Sequence, residues 1–187
     1  MTSALDNIFG LAHLSDEAKE HLNKHVAILE APKGSFLIKQ GQHIDHFYMI
    51  ETGFARIFSV IDEKEITTLF ARENDIITST YALFTQTYSN ENVEILEDSV
   101  LLQIRYSTFV DLCRKHPNLF DLYRFLMEKY YLALEERTLS LQFDNALERY
   151  RKLVSLHPFI LQRASLASIA SYLGMSPVTL SRMRAQV

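Results

Sequence analysis

The spacing of apolar residues changes near Ser107, and this change most limits what a chain of 187 residues like this one can fold into. Before Ser107, short runs rich in β-branched and aromatic residues are separated by turn signals at positions 32–34, 41–42, 52–53 and 62–64. From Ser107 onward the apolar residues follow a helical period, which Pro117 interrupts. Short strands at such regular spacing indicate a β-sandwich or a barrel. The sequence therefore predicts an α+β chain in which the strands precede most of the helices.

Two helix starts flank the strand-rich part. Ser15 precedes Asp16 and Glu17, which is the order of an N-cap and of acidic residues that the helix dipole favours. Ser107 is the second candidate cap, for a helix that ends before Pro117. The sequence thus predicts a short N-terminal helix and a second short helix after the last strand.

Two adjacent apolar stripes run along the long helix that is predicted after Pro117. One stripe consists of our candidate residues for the dimer helix, and which face of that helix forms the dimer stays open; the residues are Leu119, Leu122, Leu126, Tyr130 and Ala133. The other consists of Tyr123, Met127, Tyr131 and Leu134. A helix that is apolar on two flanks must bury both, so one stripe is expected to face the strands and the other a second chain. The alternative, in which both stripes pack within one chain, stays open.

The segment LASIASYLGMSPVTLSRMRA near the C-terminus has the pattern of a helix-turn-helix. Two short helices that cross steeply need a small residue at their closest approach and a left-handed residue at the turn. Ala170 and Gly174 meet these two needs. Ser165 and Ser176 are suited to cap the two helices, and Pro177 takes the first position of the second helix, where a missing N–H costs nothing.

Helical phase sorts the side chains of the second of these helices. Arg182 lies on its outward side, where a guanidinium group can bind guanine, whereas Val178 offers only apolar contact, for example to a thymine methyl group. Base reading is therefore expected to depend mainly on Arg182, and no β-wing is expected after the helix. The residues expected to contact DNA, through bases or phosphates, are Ser165, Ser176, Val178, Thr179, Ser181, Arg182 and Arg184.

Charge is divided unevenly along the chain. The last 51 residues carry seven basic and two acidic residues, a net charge of +5. The first 136 carry twelve basic and twenty-one acidic residues, a net charge of −9. A basic C-terminal part on an acidic body suggests that the C-terminal part faces the phosphate groups of nucleic acid.

Composition disfavours several other classes of protein. No apolar run approaches the roughly 18 residues that a membrane span needs, and the first residues lack the features of a secretory signal, so a cytoplasmic location is expected. A single cysteine, Cys113, excludes a disulfide within the chain. No Ser-His-Asp arrangement and no phosphate-binding glycine loop is recognisable, so no enzymatic activity is predicted.

A metal site is the main chemical alternative to DNA binding. His43 and His46 precede Glu51, as in a cupin-like metal protein, but their spacing in a turn does not match the alternating ligands of such a site. His21 and His25 are four residues apart on the predicted N-terminal helix, without a third ligand beside them. We therefore expect surface histidines and no bound metal.

The order of β-rich part, long helix and terminal helix-turn-helix resembles the Crp–Fnr family of bacterial transcription regulators over nearly the whole chain. The segment PKGSFLIKQGQHIDHFYMIETGFARIF is similar to that family's cyclic nucleotide-binding fold, with Gly34, Gly41 and Gly53 at its turns. The segment ERYRKLVSLHPFILQRASLASIASYLGMSPVTLSRMR is especially similar to the short family members found in Bacteroidetes. The resemblance implies a homodimer that binds double-stranded DNA at a two-fold operator, with RNA polymerase as a further partner.

The resemblance also implies a ligand pocket, but the residues that hold cyclic AMP in the family are replaced here. Thr78 and Ser79 stand where the family has Gly-Glu, and Ser89 or Asn90 stands where it has an Arg. Nearby Glu91 would repel a phosphate group. We expect no cyclic AMP binding and no cofactor; the segment either receives an unknown small-molecule effector or is filled core. The pocket residues expected from this alignment are Thr78, Ser79, Tyr81, Phe84, Tyr88, Ser89 and Asn90.

By this resemblance the chain divides into three parts. Residues 1–117 are expected to form a β-sandwich or jelly roll of the cyclic nucleotide-binding type with an N-terminal helix. Residues 118–140 form the long dimer helix, and residues 141–187 form the helix-turn-helix DNA-binding domain. The predicted function is a DNA-binding transcription regulator, and the alternative is a small-molecule-binding or cupin-like metal protein with no DNA function.

Overall fold

The computed structural model describes residues 14–186. Its strands are β1 (Ala27–Ala31), β2 (Phe36–Ile38), β3 (His46–Thr52), β4 (Ala55–Ile61), β5 (Lys64–Ala71), β6 (Ile76–Ile77), β7 (Asn92–Ile95) and β8 (Ser99–Arg105). Its helices are α1 (Asp16–His25), α2 (Thr80–Thr85), α3 (Tyr106–Lys115), α4 (Pro117–Phe143), α5 (Ala146–Leu156), α6 (Pro158–Arg163), α7 (Leu166–Tyr172) and α8 (Pro177–Arg184).

The strands form two antiparallel four-stranded sheets, one in the order β1-β8-β3-β6 and the other in the order β2-β7-β4-β5. Side chains that alternate along the strands fill the space between the sheets, with Ile50, Val93 and Leu101 completely buried. This is a jelly-roll-like sandwich followed by a long helix and further helices. The α+β fold class predicted from the sequence is confirmed; the three domain boundaries stay a prediction.

Local signals explain where the first helices begin. Ser15 caps α1, since its Oγ accepts a hydrogen bond from the N–H of Ala18. The prediction that Ser107 caps the helix after β8 is wrong, because that helix begins one residue earlier, at Tyr106. The N–H of Tyr106 instead donates to the carbonyl oxygen of Asp45, so a neighbouring loop satisfies the helix end and no side-chain cap is needed.

The long helix α4 packs on the sandwich through the stripe that begins with Leu119 and Leu122. Leu119 and Leu122 are buried in the sandwich core, Leu126 packs against it, and Tyr130 is half-buried. Ala133 is exposed. This stripe therefore packs mainly within one chain, and other flanks of α4 remain accessible.

A neighbouring flank of α4, about a third of a turn from the sandwich-facing stripe, carries apolar residues at seven-residue spacing. Phe125, Leu132 and Leu139 are all exposed, and Leu132 has 60% of its surface accessible. Phe143 extends the row at the end of the helix. We call these four residues the outer stripe.

The C-terminal helices α5 to α8 pack together and dock on the outer face of the β4–β5 sheet. Their shared cluster includes Tyr150, Ile169 and Leu180 together with Phe54 and Phe70 from the sandwich. The rings of Phe54 and Phe70 are stacked with centroids 5.6 Å apart. As a result β4 is covered on both faces over most of its length, which explains why its sequence is a nearly continuous apolar run.

No helix in the part of the chain that the structure describes is long and apolar enough to cross a membrane.

Candidate functional site

The helix-turn-helix forms as its capping residues predict. Ser165 Oγ accepts a hydrogen bond from the N–H of Ser168 at 3.1 Å, and Ser176 Oγ accepts one from the N–H of Thr179 at 3.1 Å. Gly174 adopts φ +63° in the turn between α7 and α8, and a Cβ atom there would lie 2.9 Å from Leu141 of α4. The left-handed backbone angle therefore favours glycine, whereas the nearby Leu141 atom is the end of a flexible side chain that can shift.

Helix α8 presents its outward face to solvent. Val178 is 63% exposed, and Arg182 and Arg184 are exposed. Ser181 is also exposed, whereas Leu180 on the opposite side is completely buried. Val178, Ser181 and Arg182 thus share one accessible flank of α8, whereas Arg184, two residues after Arg182, points to another side of the helix.

The hydroxyl groups at the start of α8 retain some capacity for a further ligand. Ser176 Oγ and Thr179 Oγ1 are 2.9 Å apart and share one hydrogen bond. Because the two hydroxyls carry two hydrogens, one O–H remains free to donate, for example to a phosphate oxygen. Ser165 is exposed at the start of α7, and its Oγ lies 2.8 Å from Ser168 Oγ, so the same count leaves one O–H free in this pair as well.

Most of the basic residues of the C-terminal part bind protein groups. Arg137 donates to the carbonyl oxygens of Thr67 and Tyr172. Three more cations form hydrogen bonds or ion pairs within the chain, and they are Arg149, Lys152 and Arg163. Among the described residues only Arg151, Arg182 and Arg184 of this basic set remain exposed without such a partner. The net charge of +5 therefore overstates what can face phosphate.

Polar contacts join α7 to the sandwich. Arg56 of β4 is only 7% exposed, and it donates to Ser168 Oγ at 3.0 Å while pairing with Glu65 and Glu94 at 2.6 Å each. Ser171 Oγ of the same helix contacts β5 as well. The guanidinium group thus lies between two carboxylates of the sandwich and a hydroxyl of the helix-turn-helix, so its charge is compensated despite burial.

A second set of contacts involves the end of α6. Arg163 binds Glu73 and Glu97 through four hydrogen bonds of 2.7–3.0 Å. These bonds to Arg163 lower the pKa of Glu73 to about 2 and also lower the pKa of Glu97. The docking of the C-terminal helices is therefore both apolar and ionic.

The residues expected to line an effector pocket do not all face the same space. Tyr81, Tyr88 and Asn90 are exposed on the outside, and Tyr88 contacts His43 edge-to-face. Phe84 is partly exposed, and its ring lies 5.5 Å from that of Tyr106.

The remaining pocket residues are buried and hydrogen-bonded to protein groups. Thr78 Oγ1 donates to the carbonyl oxygen of His46, and Ser89 Oγ donates to the carbonyl oxygen of Glu91. Ser79 Oγ donates to a carboxylate oxygen of Glu91 at 3.1 Å. Burial raises the pKa of the Glu91 carboxyl. A half-buried carboxyl group therefore lies beside Ser79, at the position that the sequence alignment assigns to a phosphate site.

A cavity of about 240 Å³ lies between the sandwich, α4 and the C-terminal helices. Its wall is mainly apolar and aromatic, and includes Phe84, Tyr106, Tyr123, Tyr130 and Tyr172. Thr78 and Phe84 are the two predicted pocket residues that line it. An occupant of this space would contact all three parts of the chain.

The structure does not bring together the ligands of a cupin-like site. His43, His46 and Glu51 form no group of three ligand atoms in the part of the chain that the structure describes. Burial raises the pKa of the Cys113 thiol to about 11, which disfavours the reactive thiolate.

Sequence reasoning missed the residues that join distant parts of the chain. Arg56 meets Ser168, 112 residues further on, and His21 meets His116, 95 residues further on. A charged residue inside the apolar run of β4 is the one available signal, because a buried arginine needs partners. No comparable signal marks His116.

One protein-family model matches the N-terminal part of the chain. Residues 28–116 match the family described as cyclic nucleotide-binding domain. A comparison with curated protein sequences finds no match.

Solved structures share the fold along nearly the whole chain. The c-di-GMP-responsive global regulator CLP of Xanthomonas campestris matches with a TM-score of 0.74 at 15% identity, over 92% of this chain and 91% of that protein. A Crp/Fnr family regulator from Eubacterium rectale has a TM-score of 0.72 at 16% identity, over 96% and 87%. The catabolite activator protein of Thermus thermophilus has a TM-score of 0.59 at 18% identity, over 96% and 85%. At these identities the likeness is one of fold.

Proposed function

We propose that the chain is a DNA-binding transcription regulator that acts as a homodimer, because residues 28–116 match the cyclic nucleotide-binding domain family and solved regulators, one of them of the Crp/Fnr family, share its fold. The observation that carries the proposal is the capped, solvent-facing helix α8 at the end of a helix-turn-helix. The structures similar in fold include regulators by name. Contact with RNA polymerase belongs to the same proposal.

The exposed side chains of α8 suggest how DNA would be read. Arg182 supplies the main base contact, as a guanidinium fork that matches the acceptors of guanine. Val178 adds apolar contact. The hydroxyls of Ser176 and Thr179 and the cation of Arg184 bind phosphates, which set the position of the helix on the duplex. We expect fewer base contacts than in a regulator whose recognition helix begins with polar residues.

The outer stripe of α4 is the surface that we assign to the homodimer. Apolar residues every seven positions form the seam along which two helices pair as a coiled coil. Phe125, Leu132 and Leu139 have this spacing and are exposed in the single chain. Pairing along this row would bury it and bring two copies of α8 to one side of the dimer, where a two-fold operator could be bound.

The pocket region supports a regulator that does not respond to cyclic AMP. Glu91 and Ser79 form a hydrogen-bonded pair where the phosphate would lie, and a carboxylate there repels an anion. The apolar wall of the cavity of about 240 Å³ would accept an apolar effector. Since the cavity touches α4 and the C-terminal helices, such an effector would act on the spacing of the two recognition helices.

Selection of bound duplexes from a random pool tests the proposal. We expect enriched sequences with two-fold symmetry and half-sites about 10 base pairs apart, or a multiple of this distance. Arg182→Ala should weaken binding to the selected duplex by about 1–3 kcal/mol for each half-site and relax the preference for one base pair.

The matched control is Arg114→Ala. Arg114 is an exposed arginine of α3 that pairs with Asp111, and its loss removes the same charge far from α8. Affinity that falls equally in both variants would mean that only overall charge matters. A failure of the selection to enrich any sequence would overturn the proposed function.

A further inference from the structure

Three potential metal ligands from two distant parts of the chain come together beside α1. They are Glu17, His21 and His116, and one ligand atom of each lies within 4.8 Å of the others. Nδ1 of His21 and Nε2 of His116 are 2.9 Å apart, and the two rings meet edge-to-face with centroids 5.0 Å apart. This is the single such group among the residues from 14 to 186.

The packing of α1 places this group at the edge of a buried interface. Glu17 and His21 are four residues apart, so they share one face of α1. The adjacent residues Ala18 and Leu22 are buried in the sandwich core, in the same cluster as Leu119 of α4. Both histidines are half-buried, and Glu17 is exposed, so the ligands are held on the protein side and open on the solvent side.

The position of His116 is unusual for a residue with no ligand. It precedes Pro117 and is the N-cap residue of α4, yet its side chain makes no capping hydrogen bond. Ser, Thr, Asp and Asn are strongly preferred at such a position. The His116 ring points to His21 instead, so it serves the contact between α1 and α4 and not the helix end.

We propose that Glu17, His21 and His116 bind one divalent transition metal ion of the Zn²⁺ type. Two imidazole nitrogens and one carboxylate oxygen are a ligand set that Zn²⁺ accepts with water in the fourth position. Zn–N bonds of about 2.0–2.1 Å in tetrahedral geometry separate two nitrogens by about 3.3 Å. To admit the ion, the two nitrogens need to move apart by about 0.4 Å, the rings need to turn so that both lone pairs meet at the metal, and the proton of their hydrogen bond needs to leave.

The bound ion would join α1 to the first turn of α4. It adds a link between the N-terminal helix and the helix that we assign to the dimer, at a distance from the recognition helix. The site does not depend on whether the protein binds DNA, because its ligands lie outside α7 and α8.

Calorimetric titration of the untagged full chain with Zn²⁺ tests the proposal. We expect one ion per chain for the unaltered protein. His21→Ala and His116→Ala should each weaken binding by about 100-fold or more, because loss of a direct ligand exceeds the loss of an outer partner. Glu17→Gln should weaken it by a smaller factor. His25→Ala, an exposed histidine one turn further along α1, should leave it unchanged.

Thermal unfolding of each variant without metal shows that it is folded. Zn²⁺ should raise the melting temperature of the unaltered protein and of His25→Ala, but not that of His21→Ala or His116→Ala. Glu17→Gln keeps both histidines, and its reduced affinity would link the carboxylate to the site even if a histidine variant failed to fold. Equal Zn²⁺ binding in all variants, or none in the unaltered protein, would overturn the proposal.

Discussion

Arg163 joins the C-terminal helices to the sandwich through two carboxylates, and this makes the docking sensitive to acid. The pKa of Glu73 is lowered from 4.5 to about 2, chiefly by its hydrogen bonds with Arg163. A carboxyl whose pKa is lower in the folded than in the unfolded chain adds stability that is complete above its ordinary pKa. This stability is lost as the pH falls from about 4.5 towards 2.

We therefore predict that Arg163→Met lowers the free energy of unfolding at neutral pH by about 2 kcal/mol, since two carboxylates lose a charged hydrogen-bond donor. It should also reduce the loss of stability between about pH 4.5 and pH 2. Urea unfolding at several pH values measures both effects. Arg114→Met, which breaks an exposed pair within α3, is the control and should change stability little. Equal effects of the two changes would contradict the role of Arg163.

At the residue scale, local chemistry could be predicted from the sequence and distant contacts could not. Ser15, Ser165 and Ser176 cap helices because the bond partner lies three residues away. Arg56 and His116 owe their roles to residues about a hundred positions distant. Nothing in the neighbouring sequence encodes such a meeting, which depends on how the whole chain packs.

At the scale of elements, helix α4 shows the same division. Its helical period follows from the sequence, and its start at Pro117 lies next to the predicted one. The face that meets the sandwich cannot be predicted from the sequence, because two adjacent apolar stripes are equally suited to be buried. The outer stripe was missed because its residues are seven positions apart and have charged neighbours. The stripes with apolar residues every three or four positions are easier to recognise.

The outer stripe gives a prediction about assembly. Leu132→Asp places a charge at the centre of the row and should convert the dimer to a monomer at micromolar concentration, because an unpaired charge is costly in an apolar seam. Sedimentation velocity or light scattering measures the mass. Helicity should stay close to that of the unaltered protein, since Leu132 is 60% exposed in the single chain.

The control for assembly is Ile61→Asp. Ile61 is also an exposed apolar residue, but it lies at the hairpin between β4 and β5, away from α4. It should remain a dimer. If Leu132→Asp also remains a dimer, the two copies meet through another surface.

At the scale of the whole molecule, the use of basic residues inside the chain limits how strongly salt affects DNA binding. Each chain has three exposed and unpaired cations in its basic C-terminal part, Arg151, Arg182 and Arg184. A dimer thus offers six, but the two copies of Arg182 are assigned to bases, so the other four cations predict a slope of about −4 for log affinity against log salt concentration. If all seven basic residues contacted phosphate, the slope would approach about −13.

Binding of the selected duplex between about 50 and 200 mM salt distinguishes these cases. Arg151→Ala should make the slope shallower by about 2 in the dimer, without changing the preferred sequence. A slope near −13 would mean that the internal ion pairs open when DNA binds.

Helix α7 covers part of the free edge of strand β5. β5 is an edge strand, and its outward peptide groups are occupied by Ser171, which accepts from the N–H of Thr67 and donates to the carbonyl oxygen of Glu65. Arg137 binds the carbonyl oxygen of Thr67. A shift that lifts α7 and Arg137 away from β5 would leave the N–H and carbonyl oxygen of Thr67 and the carbonyl oxygen of Glu65 without these partners. Unpaired groups on an edge strand can pair with another chain, so we expect such a shift to favour aggregation.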